Sequence, residues 1–163
     1  INSSSIDPNS PKWKGSAMET YLNDEWLSSK PVLSQKAMST TIYTRSTLDA
    51  DEDTFDTTTD KVFLLSEADV FGTMDDKTAV AKDYTYNGTM LPAPGGSWKA
   101  TYNDTRAWWF LRSPKWSSSN PIVGMAIVNH NGNSSMYGSY YCSDYDGIRG
   151  GGVRPALWVN LAD

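Results

Sequence analysis

The sequence predicts a single α+β domain. A capped amphipathic helix opens it, strand-like apolar runs fill its last third, and its hydrophobic content is aromatic rather than aliphatic. The chain has 163 residues, enough for one domain with a sizeable core. Leu, Ile, Val and Phe number only 28, a share that by itself would suggest disorder. The 7 Trp, 9 Tyr and 4 Phe argue the other way. Disordered chains are poor in aromatics, and each buried ring removes a large apolar area from water.

Each element has its own signal. Residues 1–12 (INSSSIDPNSPK) are polar with two prolines and read as a lead-in, so the domain proper is 13–163. Ser16 and Glu19 have capping-box spacing, which satisfies two otherwise unpaired backbone donors. Met18, Tyr21, Leu22 and Trp26 follow as an apolar stripe, and Ser28, Ser29 and Pro31 end the helix. A second helix is expected over 32–38, before the β-branched Thr40, Thr41 and Ile42.

Residues 47–60 (TLDADEDTFDTTTD) are acidic and read as an exposed loop. The run 61–65 (KVFLL) reads as a buried strand. Ser66 and Asp69 can cap one helical turn, which Gly72 stops. Residues 73–105 look irregular, with a short helix near 78–84 and a turn at Pro92–Gly96.

Strands follow at 106–112 (RAWWFLR), 122–128 and 153–161 (VRPALWVNL), with Pro155 marking an edge or a bulge. Asn131-Gly132 is the hairpin signal, expected as a type I′ turn with two positive φ angles. Trp26, Phe63, Leu65, Trp109, Leu111, Ile127, Val128, Leu157 and Val159 are the expected core. Arg112 and Arg154 lie within strands and are expected inside, paired with carboxylates or carbonyls, because an unpaired buried charge is very costly.

Composition excludes several functions. Fourteen Lys and Arg against 19 Asp and Glu give a net charge of −5, and phosphate contacts need clustered cations, so no nucleic-acid partner is expected. No apolar run approaches the length of a membrane span. One cysteine, Cys142, excludes an internal disulfide framework and a CxxC metal site, and leaves the redox compartment open. The chain shows neither an initiator Met nor a signal peptide, as expected of a processed product or an excised domain.

Catalytic signals are sparse. There is no GxSxG, no HExxH and no phosphate-cradling glycine loop. His130 sits beside the expected hairpin turn, where a histidine is usually just solvated. Carboxylates are plentiful, but nothing selects a hydrolytic pair. Asp49, Asp51, Asp53, Phe55, Thr57 and Asp60 fall at EF-hand loop positions 1, 3, 5, 7, 9 and 12. Thr54 stands where that loop needs Gly, and Asp60 where it needs a bidentate Glu. The stretch therefore reads as a solvated acidic loop. No cofactor and no metal site are expected.

The unusual segment is 130–149, HNGNSSMYGSYYCSDYDGIR. Tyr, Ser, Gly, Asn and Asp supply 15 of its 20 residues, and it has no Lys, Glu, Gln or Trp. That is the composition of an antibody paratope: Tyr gives amphipathic contact area at low entropy cost, and Ser, Gly and Asn adapt their hydrogen bonding. A Gly/Ser-rich hairpin carrying surface tyrosines is the plainer account. Trp116–Asn120 is a second polar loop beside the same strands.

Three motifs in order carry a resemblance: TTDKVFLLSEADVFG (58–72), WWFLRSP (108–114) and GVRPALWVN (152–160). With a preceding helix like METYLND (18–24), they resemble a "GVRPAL" domain family common in surface proteins of gram-positive gut bacteria, from about Trp13 to the end of the chain. The order of elements is also similar to the C-type-lectin-like fold in its formylglycine-generating-enzyme branch, where a GFR-like closing strand corresponds to Gly152-Val153-Arg154. The resemblance implies two N-terminal helices packed on a small twisted antiparallel sheet, with long irregular loops. The enzyme branch works with two cysteines, and Cys142 is alone. Sugar-binding C-type lectins carry a Glu-Pro-Asn or Gln-Pro-Asp triplet, which is absent; Asn120-Pro121 is a partial echo.

A third group on that fold is the variable proteins of diversity-generating retroelements, whose residues near the C-terminus arise from mutated adenines in Asn-type codons. All residues of 130–149 except Met136 are reachable from such codons, and Cys142 is easier to understand as a randomised position than as a functional thiol. The resemblance implies a non-catalytic binding domain displayed on a bacterial surface or a virion. Tyr137, Ser139, Tyr140, Tyr141, Ser143, Asp144, Tyr145, Asp146 and Arg149 would form the contact surface, flanked by Trp116 and Asn120. Tyrosines would be its hot spots and charged groups would set specificity. The expected partner is a protein on another cell or particle. A glycan-binding or glycan-processing module is the alternative, with a calcium ion in the acidic loop, and a structural domain without a ligand is the third.

Overall fold

The computed structural model describes residues 12–45, 55–71, 98–117, 120–138 and 151–161. They form an α+β fold with short helices first and small sheets after. Helix α1 (Ala17–Thr20) starts as its sequence dictates: Ser16 is the N-cap, and its Oγ accepts the Glu19 N–H at 3.1 Å. The Glu19 carboxylate accepts from Gly15 N–H rather than from Ser16. The Ser16 amide is already taken by the Trp13 carbonyl at 3.0 Å.

Beyond Thr20 the helix widens into a π-helical turn, Tyr21–Trp26, and Leu27 N–H reaches back five residues to Leu22 O at 3.2 Å. The wider turn brings Leu27 onto the buried side with Met18 and Leu22, and leaves Tyr21 and Trp26 half-buried. Helix α2 (Pro31–Lys36) has Pro at its first turn, where no N–H is needed. It ends earlier than the expected 38.

Strands β1 (Thr40–Arg45) and β2 (Phe55–Asp60) form a two-stranded antiparallel sheet, in register from Thr40↔Asp60 to Arg45↔Phe55. The expectation of a loop through residue 60 is therefore corrected for 55–60. FDTTTD lacks apolar alternation, so its strand character rests on β-branched threonines and on a partner strand that the segment alone does not reveal. On β1, Thr40, Ile42 and Thr44 face inward.

The expected strand 61–65 is buried at Val62, Phe63 and Leu64 but, among the described residues, pairs only at Phe63, in a bridge to Ala156. The backbone of Lys61 and Val62 is met by a side chain instead. Asn23 Oδ1 accepts from Lys61 N–H at 2.9 Å and Val62 N–H at 3.0 Å, and Asn23 Nδ2 donates to Val62 O at 2.8 Å. Helix α3 (Glu67–Phe71) opens with a reciprocal cap: Ser66 Oγ accepts from Asp69 N–H and an Asp69 carboxylate oxygen accepts from Ser66 N–H, both at 2.9 Å.

The main sheet runs β3 (Ala100–Tyr102), β4 (Thr105–Ser117), β5 (Asn120–Val128) and β6 (Ser134–Gly138), all antiparallel neighbours. The short β7 (Gly151–Gly152) joins β4 in parallel at Trp108 and Trp109, so the sheet is not wholly antiparallel as expected. Asn103 (φ 49) and Asp104 (φ 60) make the two-residue turn between β3 and β4. Positive φ at both positions is what a type I′ turn needs, in a stretch that reads as irregular by sequence.

At Asn131-Gly132 only Gly132 has positive φ, at +86. Gly132 N–H bonds Asn129 O at 2.8 Å and Asn129 N–H bonds Asn133 O at 2.9 Å. The connection is thus a three-residue loop closed by a glycine bulge, not the expected type I′ turn.

Both faces of β4 are covered. Trp108 and Phe110, packed edge to face at 5.0 Å, join the helices, Ile42, Phe63, Met125 and Ile127. Trp109 and Leu111 face Val70, Ala126 and Val128. A strand buried on both faces reads as a continuous apolar run, which is why WWFL does not alternate.

The closing segment is a strap, not the expected strand. Beyond β7 it makes bridges Phe63↔Ala156 and Ala37↔Val159, with Met38 N–H to Trp158 O at 2.8 Å. Of the expected core, Phe63, Trp109, Leu111, Ile127 and Val128 are buried, Trp26, Leu65 and Leu157 are half-buried, and Val159 is exposed. The strap bonds the end of α2 at Lys36 and Ala37 and leaves Val159 exposed.

Candidate binding surface and its support

A buried ionic knot lies beneath the last strands. Between Phe110↔Ile127 and Pro114↔Met125, three residues of β4 oppose one residue of β5. That bulge lifts Leu111, Arg112 and Ser113 off β5 and turns their polar groups toward α3. Arg112 N–H bonds Leu65 O at 3.0 Å. The fully buried guanidinium donates from Nη1 to Asp69 Oδ2 at 2.9 Å and Leu64 O at 2.7 Å, from Nε to Thr44 Oγ1 at 3.1 Å, and from Nη2 to Tyr43 O at 3.5 Å. Ser113 Oγ accepts the Glu67 N–H at 2.8 Å. Pro114, which has no N–H to leave unpaired, resumes the strand. Arg112 is thus paired inside as expected.

Arg154 is not inside. It is exposed, with its guanidinium 4.7 Å from the centre of the Trp109 ring. Stacking on an indole serves the cation without removing it from water. Trp109 is itself held by an Nε1–H bond to Trp98 O at 3.2 Å.

The knot reaches the Tyr-rich segment through Glu67. This carboxylate is 2% exposed and accepts from the hydroxyl of Ser134, the first residue of β6. The preceding turn is also fastened. Asn129 Oδ1 accepts from Asn131 N–H at 2.9 Å and Asn133 N–H at 3.1 Å, and Arg106 Nη1 donates to Asn131 Oδ1 at 3.3 Å. His130 is exposed in that turn, within 3.3 Å of Asn131 Nδ2.

Three of the eleven expected contact residues lie on described strands. Trp116 pairs with Val123, Asn120 with Ser117, and Tyr137 with Met125. Since Met125 also pairs with Pro114, backbone register gathers all three toward one end of the β4–β5–β6 sheet. Ser139, Tyr140, Tyr141, Ser143, Asp144, Tyr145, Asp146 and Arg149 lie outside the described residues, as do Cys142, Gly72, 78–84 and the turn at Pro92. The segment leaves β6 at Gly138 and rejoins the sheet at Gly151, on the opposite side of the β4–β5 pair.

The sequence reading missed Glu67 and Ser134 as supports. The available signal was two acids, Glu67 and Asp69, inside an otherwise apolar stretch, with Arg112 in another. Buried charges of opposite sign at such positions imply each other.

No group of three or more His, Cys, Asp or Glu among the described residues is placed to hold a metal ion. Asp49, Asp51 and Asp53 lie outside them. Asp60 accepts from Trp13 Nε1 at 2.8 Å and Thr58 Oγ1 at 2.7 Å. Its neighbour Glu19 is half-buried, and desolvation followed by the Asp60 charge and hydrogen bond raises its pKa, against the opposing pull of Gly15 N–H and Lys14. Elsewhere, an open apolar groove of ≈ 430 Å³ lies between α2 and the strap, lined by Pro31, Val32, Leu33, Val159 and Leu161 with Lys30 and Lys36 at its rim. No described helix is long and apolar enough to cross a membrane.

Over residues 2–161 the chain matches the family described as Domain of unknown function (DUF6273), and it belongs to that family. No curated protein and no solved structure matches it.

Proposed function

We propose that this chain is a non-catalytic, surface-displayed binding domain on a C-type-lectin-like scaffold, and that its Tyr/Ser/Gly/Asp-rich C-terminal segment forms a diversifiable contact surface for a protein ligand. One observation carries the proposal: a paratope-like composition is concentrated in 130–149, a segment that leaves a sheet with a buried, hydrogen-bonded ion pair beneath it. Such a division suits a protein in which binding varies while folding does not. The lectin-like assignment draws on the early helices, the aromatic sheet, and a strap, 153–161, that pairs back with Phe63 and with Ala37 at the end of α2.

The test is the nucleotide sequence of the gene and its downstream region. A near-identical repeat of the codons for 130–149, differing only at adenines and lying near a reverse-transcriptase gene, is the expected result. A gene without the repeat removes the diversification reading and puts the glycan module first. Calcium titration then follows, since an ion that binds only the folded state must raise the melting temperature.

A further inference from the structure

We propose that the strap is a docking site for an extended, acidic segment of a partner polypeptide. The segment adds as a strand to the outer edge of the strap at Leu157 and Val159 and lays alternate apolar side chains into the groove beside α2. The site shares no residue with the Tyr-rich segment and does not depend on the binding reading above.

The edge follows from the bonds of the strap. Phe63 N–H bonds Ala156 O at 3.0 Å, and Ala156 N–H bonds Phe63 O at 2.8 Å. Met38 N–H bonds Trp158 O at 2.8 Å, and Asn160 N–H bonds Lys36 O at 2.9 Å. Residues 156, 158 and 160 thus turn these backbone groups toward 63 and 36–38. In an extended chain, successive residues turn theirs to opposite edges. The bridge Ala37↔Val159 is accordingly a pair without bonds of its own. Leu157 and Val159 direct N–H and C=O away from that edge and meet no backbone partner among the described residues. Such a row of ladder groups is a template for a further strand. Pro155, with no N–H to give, limits the edge upstream.

The groove supplies the side-chain contacts. Pro31, Val32 and Leu33 of α2 line it together with Val159 and Leu161. Val32 is 72% exposed and Leu161 82%, so this apolar surface is uncovered, and apolar groups left exposed together mark a contact site. The backbone edge decides the shape of the occupant. An acyl chain fills the groove but leaves the N–H and C=O groups of the strap unmet, and a helix has already used its own backbone groups. Charge decides the rest. Lys30 and Lys36 stand at the rim, in a chain of net charge −5, so the occupant carries carboxylates beside its apolar residues. The same lysines argue against a second copy, because two-fold pairing of strap with strap brings like charges to one seam.

The probe is a displayed library of short random peptides, sorted for binding to the full chain and against binding to Val32→Glu. Val32 is exposed in the free protein, so that variant should melt as the wild type does. Enriched peptides should alternate apolar with polar residues and carry Asp or Glu. The strongest binder is then synthesised and its affinity measured by fluorescence anisotropy. Methylating its backbone nitrogens at every second residue should abolish binding in one register and spare it in the other, because only one edge of an added strand faces the strap. Leu161→Ser should weaken binding about tenfold, the cost of one buried leucine. Lys30→Gln should weaken it by a smaller factor that shrinks as salt is raised. Equal effects of methylation in the two registers overturn strand addition, and the peptide variants leave the protein itself untouched. Apolar residues spaced three and four apart overturn it in favour of a helix. Full affinity in Leu161→Ser overturns the groove, and a library that yields no binder overturns the site. Dimerisation in sedimentation that is lost in Val32→Glu assigns the surface to a second copy instead.

Discussion

Arg112 and Asp69 meet at 2.9 Å with both side chains fully buried. Arg112 comes from a bulge in a sheet strand and Asp69 from the first turn of a helix 43 residues earlier. Asp69 also accepts the Ser66 N–H, so one carboxylate caps the helix and neutralises the cation. Desolvating two ions is expensive, and the pair is tolerable because almost every donor of the guanidinium is matched. Asp69→Ala should cost about 3–5 kcal/mol, the range for removing one partner of a buried pair. Urea unfolding measures it. A cost near that of an ordinary cap, about 1 kcal/mol, would show that water enters and serves Arg112.

Asn23 gives a second test. It acts as a surrogate strand for Lys61 and Val62, using both ends of its carboxamide. Asn23→Ala leaves the amide of the fully buried Val62 without that acceptor, and the expected loss is about 1–3 kcal/mol. Asn23→Asp keeps the acceptor and loses the donor, so it should fall between the two in thermal melts. Equal melting temperatures for all three proteins would refute the clamp.

Gly132 and Asn131 should respond unequally. Gly132→Ala places a side chain at φ +86 and is expected to cost about 1–2 kcal/mol. Asn131 lacks positive φ, so Asn131→Gly should bring no stabilisation of the kind a type I′ turn would give. A marked gain from Asn131→Gly would restore the type I′ turn.

Glu19 makes a prediction in pH. Burial, then Asp60, raises its folded pKa above the ordinary 4.5. The folded state therefore binds more protons than the unfolded state in the window just above that value, and stability falls as pH rises through it. Glu19→Gln keeps an acceptor for Gly15 N–H and has no charge to desolvate. Its melting temperature relative to wild type should rise between about pH 4 and pH 7. A constant difference across that range would contradict the raised value.

What the sequence determined alone was local. The cap at Ser16, the cap at Ser66 and Asp69, the aromatic strand 106–112, and Gly132 as a turn residue are all legible because each depends on neighbours within a few positions. Its long-range demand was legible in kind as well: a charge at Arg112 inside an apolar strand requires a partner.

Only the tertiary structure decided which partner. Asp69, Leu64 O and Thr44 are brought together by a β4 bulge that no periodicity announces. The same limit explains the corrections. Residues 55–60 became a strand because β1 lay beside them, and Arg154 stayed outside because Trp109 offered a face. The strap 153–161 follows the distant backbone it bonds, at Phe63 and at 36–38. In each case the deciding energy is a contact between distant residues, and a linear pattern carries the need for such a contact but not its address.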